Sequence, residues 1–170
     1  FASFIDLYKS FKKQNIEFPR VISHLAFGFL ILFIGLNYNF SIEQDFNLKV
    51  GEKKIFENYS IEFQNLKLED FQNYKAVIGE FKINNSDENF NQSLFPEIRI
   101  YEKPSTITYE ASIRSDLLKD YYITMSNIDR SEYYNIKFQK KPFMMWIWIS
   151  VIFISLGGFL RFFKNAKKYY

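Results

Sequence analysis

The single histidine of the chain, His24, sits inside an uncharged apolar run. The run reads VISHLAFGFLILFIGL from Val21 to Leu36, with no Asp, Glu, Lys or Arg in it. An imidazole in such a setting is costly, so it faces a partner rather than lipid. A helix turns by about 100° per residue, which places positions 24, 28, 31 and 35 on one side. These are His24, Gly28, Ile31 and Gly35. Small residues there let a second helix or a flat ligand come close. Two readings stay open at this point. His24 is either a packing residue hydrogen-bonded to a neighbouring helix, or an axial ligand of a haem or metal held between helices.

Other reactive chemistry is sparse. The chain has no cysteine, which excludes disulfides, thiolate metal sites and a cysteine nucleophile within it. Its Asp and Glu residues are scattered along alternating runs, the pattern of a solvated surface. No Ser/His/Asp set, phosphate-cradling glycine loop or metal-ligand spacing is present, so no self-contained active site is expected and no catalytic residue is assigned. A net charge of +3 over 170 residues, with the basic residues grouped near apolar runs, argues against a nucleic-acid partner.

The elements that must position His24 follow from length. About 20 apolar residues span a bilayer core, so 21–40 is expected to be a transmembrane helix and the lipid bilayer a partner. A second transmembrane helix is expected over 142–163, with Pro142 in its first turn. Trp146 and Trp148 stand near its entrance, either anchored in the headgroup layer or bordering a ligand pocket. Ser150, Gly157 and Arg161 line up as a packing seam. Residues 1–20 place Phe1, Phe4, Ile5, Tyr8 and Phe11 at helical spacing before Pro19. That segment reads as cytoplasmic, or as the end of a preceding helix, and not as a signal peptide. Its first residue is Phe, as expected of a fragment or a processed chain.

Topology follows from the flanks. Lys9, Lys12, Lys13 and Arg20 precede the first span, and Arg161, Lys164, Lys167 and Lys168 follow from the end of the second. Basic residues near membrane ends favour the cytoplasm, although Lys140 and Lys141 oppose this locally. Both ends, including the tail 164–170, are therefore expected to be cytoplasmic, and 41–141 to lie outside.

The outer region reads as all-β, a small barrel or sandwich. Apolar residues alternate at Ile42/Phe46/Leu48/Val50, Ile55/Tyr59/Ile61/Phe63, Val77/Phe81/Ile83 and Ile98/Ile100. The alternation continues at Ile107/Tyr109/Ala111/Ile113, Tyr121/Ile123/Met125 and Tyr134/Ile136/Phe138. Period two predicts about seven strands with one buried face each. Turns are expected at Gly51-Glu52, Asn84–Asp87, Lys103–Ser105 and Asn127–Asp129. Glu97, Arg99, Glu110 and Arg114 fall within strand-like runs and are expected to pair across strands or serve in docking.

An ordered set of short strings goes beyond pattern. It runs S-H-L-A-F-G (23–28), F-P-E-I-R-I-Y (95–101), T-Y-E-A-S-I (108–113), D-Y-Y-I (120–123), K-P (141–142), W-I-W (146–148) and G-G (157–158). This order resembles the C-terminal part of the cytochrome c-type biogenesis protein CcmF, the haem-lyase membrane subunit related to NrfE and CycK. The resemblance implies the last quarter of a large polytopic bacterial inner-membrane protein, with 41–141 in the periplasm. It implies a role in covalent attachment of haem to apocytochrome c, with the haem chaperone CcmE, CcmH-type apocytochrome-presenting proteins and the rest of the CcmF-like chain as partners. It further implies a haem b between transmembrane helices, with His24 matching one axial ligand to its iron, Gly28 beside it, and the second ligand elsewhere. The chain departs from the family pattern at Phe95, where a histidine is usual, and at Tyr109, where a threonine is usual. The segment between Asn127 and Tyr134 is also shorter. A different class of function stands beside this one: a non-enzymatic two-span anchor that displays a β domain for protein interaction or sensing.

Overall fold

A computed structural model describes residues 18–87, 90–127 and 131–166. The helical spacing expected over residues 1–17, the turn residues Ile128 and Asp129, and the tail from Lys167 lie outside the described residues. The chain divides into two units.

The helical unit contains α1 (Phe18–Phe40) and α2 (Met144–Ala166), together with the short segment Leu117–Lys119. Each helix is long and apolar enough to cross a membrane, and only 11% of either apolar window is buried. Exposed Phe27, Ile31, Leu32, Ile152, Phe159 and Phe162 leave both helices apolar all round. That pattern suits a lipid or protein surround better than water. The helices run antiparallel, because Gly157 of α2 meets Ser23 of α1 while Phe33 meets Trp146. The C-terminal carbonyls of α1 are met locally. Asn39 Nδ2 donates to Gly35 O at 2.7 Å and Ser41 Oγ to Asn37 O at 2.6 Å. Asn37 Nδ2 donates in turn to Pro142 O at 2.5 Å.

Pro142 does not open the second helix as expected. It closes β10, and α2 begins at Met144 after Phe143 takes a positive φ of 62°. The sharp reversal stops the strand before the helical repeat starts.

The second unit is a β-sandwich. One sheet has the order β1-β10-β9-β8, built from β1 (Ile42–Leu48), β8 (Ser112–Ser115), β9 (Lys119–Asn127) and β10 (Tyr134–Pro142). The other has the order β2-β3-β4-β6-β7. Its strands are β2 (Lys53–Phe56), β3 (Tyr59–Asp70), β4 (Tyr74–Asn85), β6 (Glu97–Glu102) and β7 (Ser105–Glu110). β5 (Phe90–Leu94) pairs with β4 off that path. The core lies between the sheets. Ile61, Phe63, Phe81 and Ile83 come from one, and Ile123, Met125, Ile136 and Phe138 from the other, all with no exposed surface. Phe63 stacks on Phe81 with ring centroids 4.3 Å apart. Gly79 is small of necessity: a Cβ there would lie 2.6 Å from the Phe81 ring and 2.9 Å from Met125 Sδ.

Several runs expected to be buried are not. Ile98 enters the core, but Ile100, Ile107 and Tyr109 on the same face of β6 and β7 stay exposed, at 39%, 50% and 48%. The four-stranded sheet is narrower than its partner, so the β6–β7 end of the inner face overhangs it. The expected charge pairing also differs. Arg99 Nε meets Glu97 Oε2 at 2.8 Å along one strand, while Glu97 and Glu110 stand opposite each other across β6 and β7. Arg99 also lies over the Tyr74 ring, 5.0 Å from its centroid. The hydrogen bond to Glu97 drives the Arg99 pKa upward.

On β9, Tyr122 OH donates to Asp120 Oδ2 at 3.1 Å. Partial burial pushes the Tyr122 pKa up, and the Asp120 charge adds to it. A raised folded-state value means the folded protein holds this proton more tightly than the unfolded chain does. The contribution is complete below the ordinary tyrosine value of about 10 and is lost as pH rises through the folded value. The domain should therefore lose stability at alkaline pH, and Tyr122→Phe should flatten that loss. Thermal melts of both proteins across the alkaline range measure it. Parallel slopes for the two would contradict the assignment.

Candidate functional site

α1 gives one side to α2. Ser23 Oγ donates to Ile154 O at 3.3 Å, Ala26 is buried, and Phe33 packs on Trp146 with centroids 5.6 Å apart. The closest approach is at Gly157. A Cβ there would stand 2.1 Å from Ser23 Oγ and 2.7 Å from the Pro19 carbonyl oxygen. Of the expected seam, Ser150 and Gly157 are buried, while Arg161 is exposed. Gly157→Leu should force the helices apart at this end, because a backbone carbonyl cannot yield as a side chain can. Crosslinking between cysteines placed at Ser23 and Ile154 should fall sharply in that variant; undiminished crosslinking would show the crossing to be loose.

His24 lies on another side of α1. It is exposed, as are Gly28 and Ile31, and Gly35 is half-buried. A Cβ built on Gly28 or Gly35 meets nothing within 4 Å. The expected face is thus present as one surface, and α2 does not cover it. Its small residues leave it open, whereas the close helix crossing uses Ser23 and Gly157. A flat group could lie against the Gly28 backbone while the imidazole of His24, one turn away, stays free to ligate. The residues present therefore fit a haem supplied with one ligand from this chain. Among the described residues no group of three or more His, Cys, Asp and Glu side chains gathers to hold a bare metal ion.

Between α1 and α2 is an apolar cavity of about 300 Å³, lined by Leu25, Ala26, Phe29, Phe33, Trp146 and Phe153 among others. Trp146 both borders this space and donates from Nε1 to Leu117 O at 2.9 Å. Trp148 is exposed. The sequence offered no sign of Ser23 in the crossing or of Leu117 at the helix start, since both depend on tertiary contacts.

In the β domain, Phe95 is exposed, and its N–H donates to Ser112 Oγ at 2.9 Å. Glu110 accepts from Thr108 Oγ1 at 2.9 Å, and Arg114 is exposed. These side chains converge on no shared point with a nucleophile or base, which fits surface and docking roles better than chemistry.

The class is an all-β sandwich flanked in the sequence by two apolar helices long enough to cross a membrane, with the one histidine on an open helix face. Residues 39–142 match the family described as CcmF C-terminal beta-sandwich, and the chain belongs to that family. It is 31% identical over 158 residues to the cytochrome c-type biogenesis protein CcmF of Haemophilus influenzae, covering 93% of this chain and 24% of that protein. It is 25% identical over 143 residues to CcmF of Escherichia coli K12, covering 84% of this chain and 22% of the relative. The CcmF C-terminal-like mitochondrial protein of Arabidopsis thaliana is 30% identical over 112 residues, 65% of this chain and 24% of the other. The chain thus spans about a quarter of the length of these relatives. A solved structure of the cytochrome c heme lyase CcmF shares the fold, with a TM-score of 0.62 and 17% identity over 82% of this chain and 23% of that one.

Proposed function

We propose that this chain is the C-terminal portion of a CcmF-like subunit that serves cytochrome c maturation, where haem is attached covalently to apocytochrome c. The observation that carries the proposal is the family match over 39–142, bracketed by two membrane-length helices of which the first presents His24 on an open face. In this reading α1 and α2 cross a bacterial inner membrane, the 41–141 domain lies in the periplasm, and both ends are cytoplasmic. Arg20 before the apolar run and Arg161 near the end of the second support that orientation.

His24 would supply one axial ligand to a haem b, and Gly28 would leave room beside it. When bound, the haem supplies an iron centre whose potential is tuned by axial ligand, hydrogen bonding and burial. The second ligand comes from the rest of the CcmF-like chain. The β-sandwich acts by docking and shape toward CcmE, CcmH-type proteins and apocytochrome c. Its overhanging β6–β7 face, with exposed Ile100, Ile107 and Tyr109, offers apolar surface for that purpose.

The test is deletion of the full-length gene in its own host. Haem-stained c-type cytochromes should disappear while b-type cytochromes persist. Normal levels of covalently haem-bearing cytochrome c would overturn the proposal.

A further inference from the structure

We propose that the Leu117–Leu118 turn is a second membrane anchor, dipping into the boundary between headgroups and hydrocarbon beside the start of α2. The inference rests on the reading of α1 and α2 as membrane spans. The linker from β8 to β9 reads Asp-Leu-Leu over 116–118. Tight connections between strands usually present polar or turn-forming residues. This one presents two leucines, 63% and 57% exposed.

The backbone of that turn is tied to the helix entrance. Trp146 Nε1 donates to Leu117 O at 2.9 Å, and Phe143 N donates to Leu118 O at 2.8 Å. Residues 117–119 accordingly belong to the helical unit and not to the sandwich. The depth of Leu117 is then the depth of Trp146, and an indole at the mouth of a span sits at headgroup level. Met145 and Trp148, 45% and 63% exposed, continue the apolar surface in the first turns of α2. The turn's occupant is therefore lipid, continuous with the lipid around the helices, and its leucines limit how the entrance of α2 moves along the membrane normal.

Spin labels test this in the full-length protein, in a cysteine-free background, reconstituted in vesicles containing phosphatidylglycerol. One label replaces Leu118 through Leu118→Cys, a second replaces Leu117, and a third at Ile152→Cys reports on the span itself. The labels at 117 and 118 should be relaxed more by oxygen than by a water-soluble nickel chelate, with depths of about 5–10 Å below the phosphates. The label at 152 should lie deeper. A label at 152 in lipid with those at 117 and 118 open to nickel would overturn the anchor and leave the spans standing. Labels at 117 and 118 shielded from both reagents would mean that protein covers the turn, which also overturns it. Nickel access at 152 would reject the membrane reading itself.

Discussion

Replacing His24 with alanine in the full-length protein should abolish the low-spin b-type absorption bands and reduce cytochrome c maturation. His24 is the only histidine in the chain, so no neighbour here can take its place. The side chain is exposed on a face that α2 leaves free. Its removal therefore does not disturb the α1–α2 contact, which Ser23, Ala26 and Gly157 carry. Protein level and fold should stay normal while the spectrum changes. His24 lies about one helical turn inside Arg20, roughly 6 Å along the axis, so the iron should sit toward the cytoplasmic half of the membrane. Gly28→Leu should weaken haem retention in the same assay, because the space beside the imidazole would be filled. Added imidazole should restore part of the low-spin signal in His24→Ala but none in Gly28→Leu. An unchanged spectrum in His24→Ala at matched protein level would leave His24 as a packing residue.

The helices were legible because a membrane-length apolar run has few other uses. Their exact ends were not. Pro142 looked like a helix starter, yet the positive φ at Phe143 is a tertiary consequence of turning a strand into a helix. Seven alternating runs became ten strands among the described residues, for local reasons. The run through Ile55 and Phe63 is split by a turn at Glu57-Asn58, where Glu57 has a φ of 47°. The run through Ile107 and Ile113 is split at Ala111. The strand Phe90–Leu94 reads FNQSL and carries no period-two signal, because it adds to the flank of β4 without burying a full face. Alternation also overstated burial at Ile100, Ile107 and Tyr109, since the width of the covering sheet is not written in the strand beneath it.

The candidate site was more legible than its supports. His24, Gly28, Ile31 and Gly35 fall on one face by helical arithmetic alone, and the structure leaves that face uncovered. The proposed haem site would need its second wall from the rest of a CcmF-like chain, of which this chain spans about a quarter. The Ser23–Gly157 crossing needed coordinates, since serine and glycine at those positions look like any small residues of an apolar helix.

Phe138→Ala should be the most damaging single change in the β domain. Phe138 has no exposed surface and sits on β10. Its ring lies 5.6 Å from Phe56, 5.3 Å from Tyr59 and 6.3 Å from Tyr121, centroid to centroid. Phe56 and Tyr59 belong to one sheet and Tyr121 to the other, so the ring joins the two layers. Truncation removes its transfer energy and leaves a cavity that rigid neighbouring rings cannot fill, a cost of about 3–5 kcal/mol. A domain of this size holds only about 5–15 kcal/mol in total. Proteolysis that samples the open form should then speed up by about a hundredfold or more in the full-length protein. Ile107→Ser, on the exposed overhang, should leave the cleavage rate within about twofold of the parent, as surface substitutions usually do. Equal cleavage of Phe138→Ala and the parent would mean that the sheets are held together elsewhere, at the Phe63–Tyr134 contact between β3 and β10, whose ring centroids lie 5.7 Å apart. Rapid cleavage of Ile107→Ser would mean that the overhang is already covered in the intact protein and helps to hold the fold.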